Sequence, residues 1–262
     1  RRHAINEMLK VEKPAVMGGQ EVTSVQLSDI AGFGYGAYGA GRADGGVTKE
    51  SGEMMGIFYD QSQVTMEGNG TFWLNEDGTV GEKGWGAKYV RIASWARFSL
   101  AGKPYKKFIV LNTHLDNDKH FDSSIWVIAN ACDVEKPDLV VLTGDNTHPH
   151  EDTEETKKLI NSLMNIFESR NIPVAVTFGN HDSEAGPMSR KDIMEYYKTF
   201  SCVISAGDEE AFKNCATFNI PVLASDSDKV KFNIWVFDSG DYDEDEPRHY
   251  DRVRTEQIEW YK

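Results

Sequence analysis

Lys136-Pro137-Asp138-Leu139-Val140-Val141-Leu142-Thr143-Gly144-Asp145-Asn146 is the stretch on which the reading of this chain turns. The apolar run from Leu139 to Leu142 has strand length, and Gly144-Asp145-Asn146 is turn-forming text at its carboxyl end. A helix is expected from about Thr153 to Glu168, then a second apolar strand from Pro173 to Thr177 that runs into Gly179-Asn180-His181-Asp182. Strand, helix and strand of these lengths predict a parallel β-α-β unit. Ligands of open α/β sheets collect beyond the carboxyl ends of the strands, so both polar turns fall where chemistry is expected.

Working outward, a helix is expected from about Asp122 to Val134, another near Lys191 to Lys198, strands near Phe218 to Pro221 and Phe232 to Phe237, and a closing helix from about Arg254. The text before position 112 differs. Ile5, Met8 and Leu9 have helical spacing before Pro14, and Ala15-Val16-Met17 reads as a short strand ending at Gly18-Gly19-Gln20-Glu21, with Glu21 at its edge. Positions 32 to 46 are rich in Gly and Tyr and read as loop. Short strands are expected around Gly56 to Tyr59, Val64 to Glu67 and Thr71 to Leu74, then at Val90 to Ser99 and Lys107 to Leu111. The last of these is a continuous apolar strand running into Asn112-Thr113-His114-Leu115-Asp116. The grammar thus changes from β-rich to β-α-β at roughly 112 to 122.

With 262 residues the chain can bury a sizeable core, and 40% hydrophobic against 27% charged residues is the balance of a folded globular protein. A net charge of -14 repels polyanions, so no stable nucleic-acid binding is expected, although a bound divalent cation reverses that field locally. Cys132, Cys202 and Cys215 form no C-x-x-C pair and read as buried thiols. No apolar run reaches the roughly 18 residues of a membrane span. The chain opens at Arg1-Arg2-His3 with neither Met nor an apolar signal segment, which reads as a trimmed or mature form or a fragment and leaves the compartment unassigned. The aromatics Phe72, Trp73, Trp85, Tyr89 and Trp95 read as packing of the β text, and the acidic stretch Asp241 to Glu246 as a solvated loop without the glycine and spacing of a calcium loop.

Hydrolysis of a phosphoester at neutral pH requires charge neutralisation and an activated water, which a pair of metals about 3.5 to 4 Å apart supplies. Asp145 suits a bridging carboxylate, Asn180 offers a neutral carbonyl oxygen, and His114 an imidazole nitrogen. His181 is then the group that protonates the leaving alkoxide. Taken singly, each turn is also what a helix entry looks like, since Asp and Asn after Gly make good caps.

Two resemblances follow from these residues. Positions 117 to 262 look like the calcineurin-like metallophosphoesterases, whose motifs run D-x-H, G-D-x-x and G-N-H-D or G-N-H-E; the resemblance implies divalent Mn, Fe or Zn and a phosphoester substrate. Positions 1 to 116 resemble the endonuclease/exonuclease/phosphatase family, with the deoxyribonuclease I-like fold, through Gly19-Gln20-Glu21-Val22, Gly41-Arg42-Ala43-Asp44-Gly45, Gly52-Glu53, Gly70-Thr71-Phe72-Trp73-Leu74 and Asn112-Thr113-His114-Leu115-Asp116. That resemblance implies Glu21 as a Mg ligand and His114 as a contact of the scissile phosphate. Both families have layered α/β/β/α sandwiches, so the fold class expected is α/β, as a hybrid or incomplete version of two such folds. Exported relatives of both families make secretion the compartment that similarity suggests.

Each resemblance has gaps. Asn112 stands in the Asp position of the D-x-H motif, Asp118-Lys119-His120 is a literal D-x-H about six residues beyond the strand end, and no His after His181 fits the family's later G-H motifs. The endonuclease-like part has no G-D-F-N turn and no terminal Asp-His pair. A fusion through the shared Thr113-His114-Leu115-Asp116 accounts for the switch, and the expectation is weak metal binding and low turnover. The alternatives to a two-metal phosphoesterase are a Mg-dependent hydrolase of the second family and a non-catalytic fusion or fragment.

Overall fold

The computed structural model describes residues 2–84, 87–114, 121–146, 152–184, 186–204, 215–224, 226–243 and 249–261. Trp85, Leu115, Asp116, the Asp118-Lys119-His120 register, His148, His150, Glu151 and residues 244–246 of the acidic stretch lie outside them. The chain divides into two compact units, Arg1–Ser124 and Ile125–Lys262, and is α/β in class.

In the first unit, α1 (Arg2–Glu12) leads into β1 (Val16–Val22), α2 (Ser24–Gly32), β2 (Gly36–Tyr38) and β3 (Met54–Tyr59), and the three strands form an antiparallel sheet in the order β1-β3-β2. Strand β1 does not stop at the glycines. It continues through Gly18, Gly19, Gln20 and Glu21, with a register shift between Gly19 and Val22 and Glu21 at φ 53. The missing side chain at Gly19 admits Val22, whose Cγ2 lies 2.8 Å from where a Cβ would stand. Helix α2 was not expected; Thr23 caps it and Gln26 completes a reciprocal capping box. Strand β2 was likewise read as loop, because three residues between glycines show no period.

The second sheet of this unit is β4-β5-β6, formed by β4 (Val64–Trp73), β5 (Ile92–Leu100) and β6 (Lys103–Thr113), all antiparallel. The two strands expected at 64 to 67 and 71 to 74 are one strand carrying a register shift between Met66 and Gly68. Strand β6 is not a continuously buried run either: Ile109 and Leu111 are exposed while Phe108 and Val110 pack against Ala96 and Phe98, the alternation of a sheet with one covered face. A separate core joins Leu9, Val22, Ile30, Met54 and Phe58.

The second unit follows the expected grammar. Helix α3 (Phe121–Glu135) precedes β7 (Val140–Thr143), α4 (Thr153–Glu168) and β8 (Val174–Thr177), and β7 and β8 pair in parallel from Val140↔Val174 to Thr143↔Thr177. Strand β8 is an interior strand, since Val174 also bridges Val203 in parallel, and all four of its residues are buried. Burial of a Val or Leu side chain contributes about 1.5–3 kcal/mol, so this run holds the strand in place. Helix α4 buries Ile160, Leu163, Met164 and Phe167 on one stripe, and α5 (Arg190–Tyr197) buries Ile193, Met194 and Tyr197. The antiparallel pair β9 (Phe218–Ala224) and β10 (Ser227–Val236) and the helix α6 (Thr255–Tyr261) complete the unit. Cys132, Cys202 and Cys215 are buried and in no disulfide, and burial together with the neighbouring Glu168 pushes Cys202 up to about 12.

Candidate functional site

The site of the second unit is made of backbone before it is made of side chains. Gly144 sits at φ +103 and Asp145 at φ 49, so the chain reverses immediately after β7. A Cβ on Gly144 would lie 2.1 Å from the Gly179 nitrogen, and one on Gly179 would lie 2.2 Å from Asp145 Oδ1. The two turns therefore touch main chain to main chain, which is why each opens with glycine.

Asp182 ties them together. Its fully buried carboxylate accepts from the Gly179 N–H (2.7 Å) within its own turn and from the Asp145 N–H (2.7 Å) and Asn146 N–H (2.9 Å) of the other. Burial, opposed by the three N–H groups and reinforced by the charge of Asp145, pushes its pKa up to about 7. Asn146 adds a bond from Nδ2 to the Thr177 carbonyl (2.9 Å). Asp145, exposed at the rim, accepts the His181 N–H on Oδ1 at 2.9 Å, which sets its carboxylate beside the Asn180-His181 peptide.

The far end of the second turn is held equally firmly. Arg190, the first residue of α5 after its Ser189 cap, donates to the Gly179 carbonyl at 2.7 Å and to buried Asp238 at 2.5 Å, with its guanidinium 5.0 Å over the Phe178 ring. Asp238 N–H donates to Thr217 Oγ1, and Gln257 of α6 donates to the same oxygen and to the Asp238 carbonyl. None of Asp182, Arg190, Asp238, Thr217 or Gln257 figured among the expected site residues. Partners as distant as 40 and 48 residues leave no spacing to read, although a buried Asp in a G-N-H-D turn is itself a signal.

His181 is half-exposed, and its Nδ1 hydrogen-bonds Glu184 Oε2. Burial disfavours its charged form, but the bond to Glu184 and the charges of Asp145, Glu184 and Asp182 outweigh that and raise the pKa above the ordinary imidazole value. Asn180 is half-buried, with a buried Nδ2 that has no hydrogen-bond partner among the described residues. An orphaned amide NH2 is a donor that a phosphate or water oxygen would satisfy, and Oδ1 is the end of the side chain that could ligate an ion. A carboxylate and an amide oxygen are donor types that a divalent ion accepts. No group of three or more His, Cys, Asp and Glu suited to a metal occurs among the described residues.

In the first unit, Glu21 and His114 meet at 3.7 Å, with Arg91 3.3 Å from the same His114 nitrogen. Gln20 donates to the Thr113 carbonyl at 2.9 Å, joining the bulged end of β1 to the end of β6. Asn112 uses its amide protons on the carbonyls of Gly19 (2.9 Å) and Gly56 (3.0 Å), which leaves its carbonyl oxygen as the only end with which it could ligate. Arg42 pairs with Glu53 at 2.8 Å, and Arg42, Lys88 and Arg91 surround the exposed Tyr89 ring at 5.4 to 5.7 Å. Tyr89 therefore carries cations where packing of the β text was expected.

The calcineurin-like phosphoesterase model matches residues 113–262, and the chain belongs to that family of hydrolases. Among curated proteins it is similar to a probable inactive purple acid phosphatase 29 from Arabidopsis thaliana, 29% identical over 136 residues, which is 48% of this chain and 34% of that protein. The chain spans about a third of the length of this and another curated relative from the same plant. Among solved structures it is similar to an endonuclease/exonuclease/phosphatase from Bacteroides vulgatus, at 32% identity, 50% of each chain and TM-score 0.45. It is also similar to a mannosyl-6-phosphatase from Bacteroides thetaiotaomicron, at 25% identity, 62% of this chain, 60% of that chain and TM-score 0.49. No helix among the described residues is long and apolar enough to cross a membrane.

Proposed function

We propose that the clamped turns of residues 144–146 and 179–182 are a metal-dependent phosphoester-hydrolysing site, with Asp145 and Asn180 as ligands and His181 as the acid for the leaving oxygen. The observation that carries this reading is the Asp145 carboxylate held on the Asn180-His181 turn by the His181 N–H, with the buried Asn180 Nδ2 left for an oxygen of the substrate or of water. A bound Mn, Fe or Zn ion supplies charge neutralisation and an acidified water. The chain's own residues do the rest: Asp182 and Arg190 fix the backbone from which the ligands project, and His181 holds a proton for the departing alkoxide. With two donors, binding is weak and turnover low, so the joined chain is an impaired hydrolase of phosphomonoesters or diesters.

A second reading, favoured by the Glu21, His114 and Arg91 contacts, is a Mg-dependent site of the endonuclease/exonuclease/phosphatase kind in residues 1 to 116. Metal content after Mn-supplemented purification and hydrolysis of p-nitrophenyl phosphates separate the two. The expected result is fewer than two tightly held ions per chain and a Mn-dependent rate that falls at least about tenfold in Asp145→Asn and is unchanged in Glu21→Gln, the size expected for loss of a ligand's electrostatic role. Two tightly held ions overturn the weak-binding reading. Mg-dependent DNA nicking lost in Glu21→Gln favours the second site, and no turnover with any metal favours a non-catalytic fusion.

A further inference from the structure

Glu184 lies three residues after His181, and its two carboxylate oxygens face different partners. Oε2 meets His181 Nδ1, and Oε1 receives the Tyr242 hydroxyl from a segment 58 residues away. Tyr242 is itself fixed: its backbone bridges Tyr250, the two rings stand 5.5 Å apart, and the flanking Asp243 N–H and Asp251 N–H donate to the His249 and Asp241 carbonyls. A local His-Glu pair on a turn would ordinarily sample many rotamers, but a carboxylate anchored from a distant segment has lost that freedom.

We propose that Glu184 and Tyr242 are positioning residues that lock the His181 ring with Nδ1–H on Glu184 and Nε2 turned to the leaving group. This deepens the reading of the previous subsection and rests on it. In the step itself a water oxygen bonds to phosphorus and gives up a proton to solvent, the P–O bond to the leaving group breaks with its electron pair going to that oxygen, the Nε2–H bond of the imidazolium breaks, and the O–H bond of the alcohol forms. The ring returns to its neutral Nδ1–H form, still bound to Glu184. A carboxylate behind the acid selects the tautomer and fixes the plane of the ring.

Two measurements on the full chain test this, with Glu184→Gln and Tyr242→Phe as variants and His181→Asn to assign the signal. The first is the tautomer of His181 from long-range proton–nitrogen NMR, which needs no turnover. The neutral ring is expected as Nδ1–H in the parent chain and predominantly Nε2–H, as in free histidine, in Glu184→Gln, with a mixture in Tyr242→Phe. The second is leaving-group dependence. General acids contribute about 10²–10⁴-fold, so Glu184→Gln should slow hydrolysis of an alkyl phosphate at least about tenfold while slowing p-nitrophenyl phosphate, whose phenolate leaves unaided, less than about threefold. A tautomer shift without turnover in any variant supports the orienting chain and sinks the hydrolase reading. An unchanged tautomer in both variants, or equal losses on the two substrates, overturns the proposal while leaving Asp145-dependent turnover to stand.

Discussion

The two compact units collect polar groups at strand ends by different means. In Ile125–Lys262 the turns after β7 and β8 touch through their glycines and are stitched by one buried carboxylate, so Asp145, Asn180 and His181 project from main chain with little freedom. In Arg1–Ser124 the cluster of Glu21, His114, Arg91, Arg42 and Tyr89 is assembled from separate segments through side chains, and its central pair is 3.7 Å apart with Glu21 well exposed. A site built on turns is preorganised by the fold, whereas one built on long side chains depends on what it binds to become ordered.

The sharpest way to break that comparison is Asp182→Ala, which leaves the N–H groups of Asp145, Asn146 and Gly179 without their acceptor. A loss on the order of 3 kcal/mol is expected, together with about a hundredfold faster hydrogen exchange at those three amides. Exchange rates unchanged from the parent chain would mean the clamp is not what holds the turns. The counterpart in the first unit is Asn112→Ala, which removes two bonds to the Gly19 and Gly56 carbonyls but strands no donor. A smaller loss of about 1–2 kcal/mol is expected in urea denaturation, because those carbonyls retain capacity for water or other donors. The smallest effect belongs to Glu21→Gln, which alters a 3.7 Å contact between a well-exposed carboxylate and His114 and should move stability by less than about 0.5 kcal/mol. If Mg raises the unfolding midpoint of the parent chain and not of this variant, the first unit holds a metal at Glu21 and the contrast between the units narrows.

What the sequence disclosed follows the same division. Helix α4 spans Thr153–Glu168 as its apolar stripe predicts, and β7 and β8 pair in parallel because strand, helix and strand occur consecutively with little between them. The two turns, one carrying Asp145 and the other Asn180 and His181, were legible because each is a short run of consecutive residues at a strand end. The fold of the first half was harder to read. Strand β4 is a single strand split in the reading by Gly68 and Gly70, and β1 runs through two glycines that ordinarily end a strand. Helix α2 was missed although Thr23-Ser24-Val25-Gln26 has the capping-box spacing, because the following residues show only a weak apolar period. Arg190, Asp238, Thr217 and Gln257 were invisible for another reason: buried polar partners meet through tertiary structure, and no local pattern announces which of many polar residues will be enclosed.

The burial of Cys132, Cys202 and Cys215 has a practical consequence. Native-state alkylation should spare all three, since thiols shielded from solvent react slowly and Cys202 is also held in its unreactive protonated form. A cysteine introduced on the surface of either unit then becomes the fast-reacting handle of the molecule, and one on each allows a dye pair to report how the two units are disposed in solution.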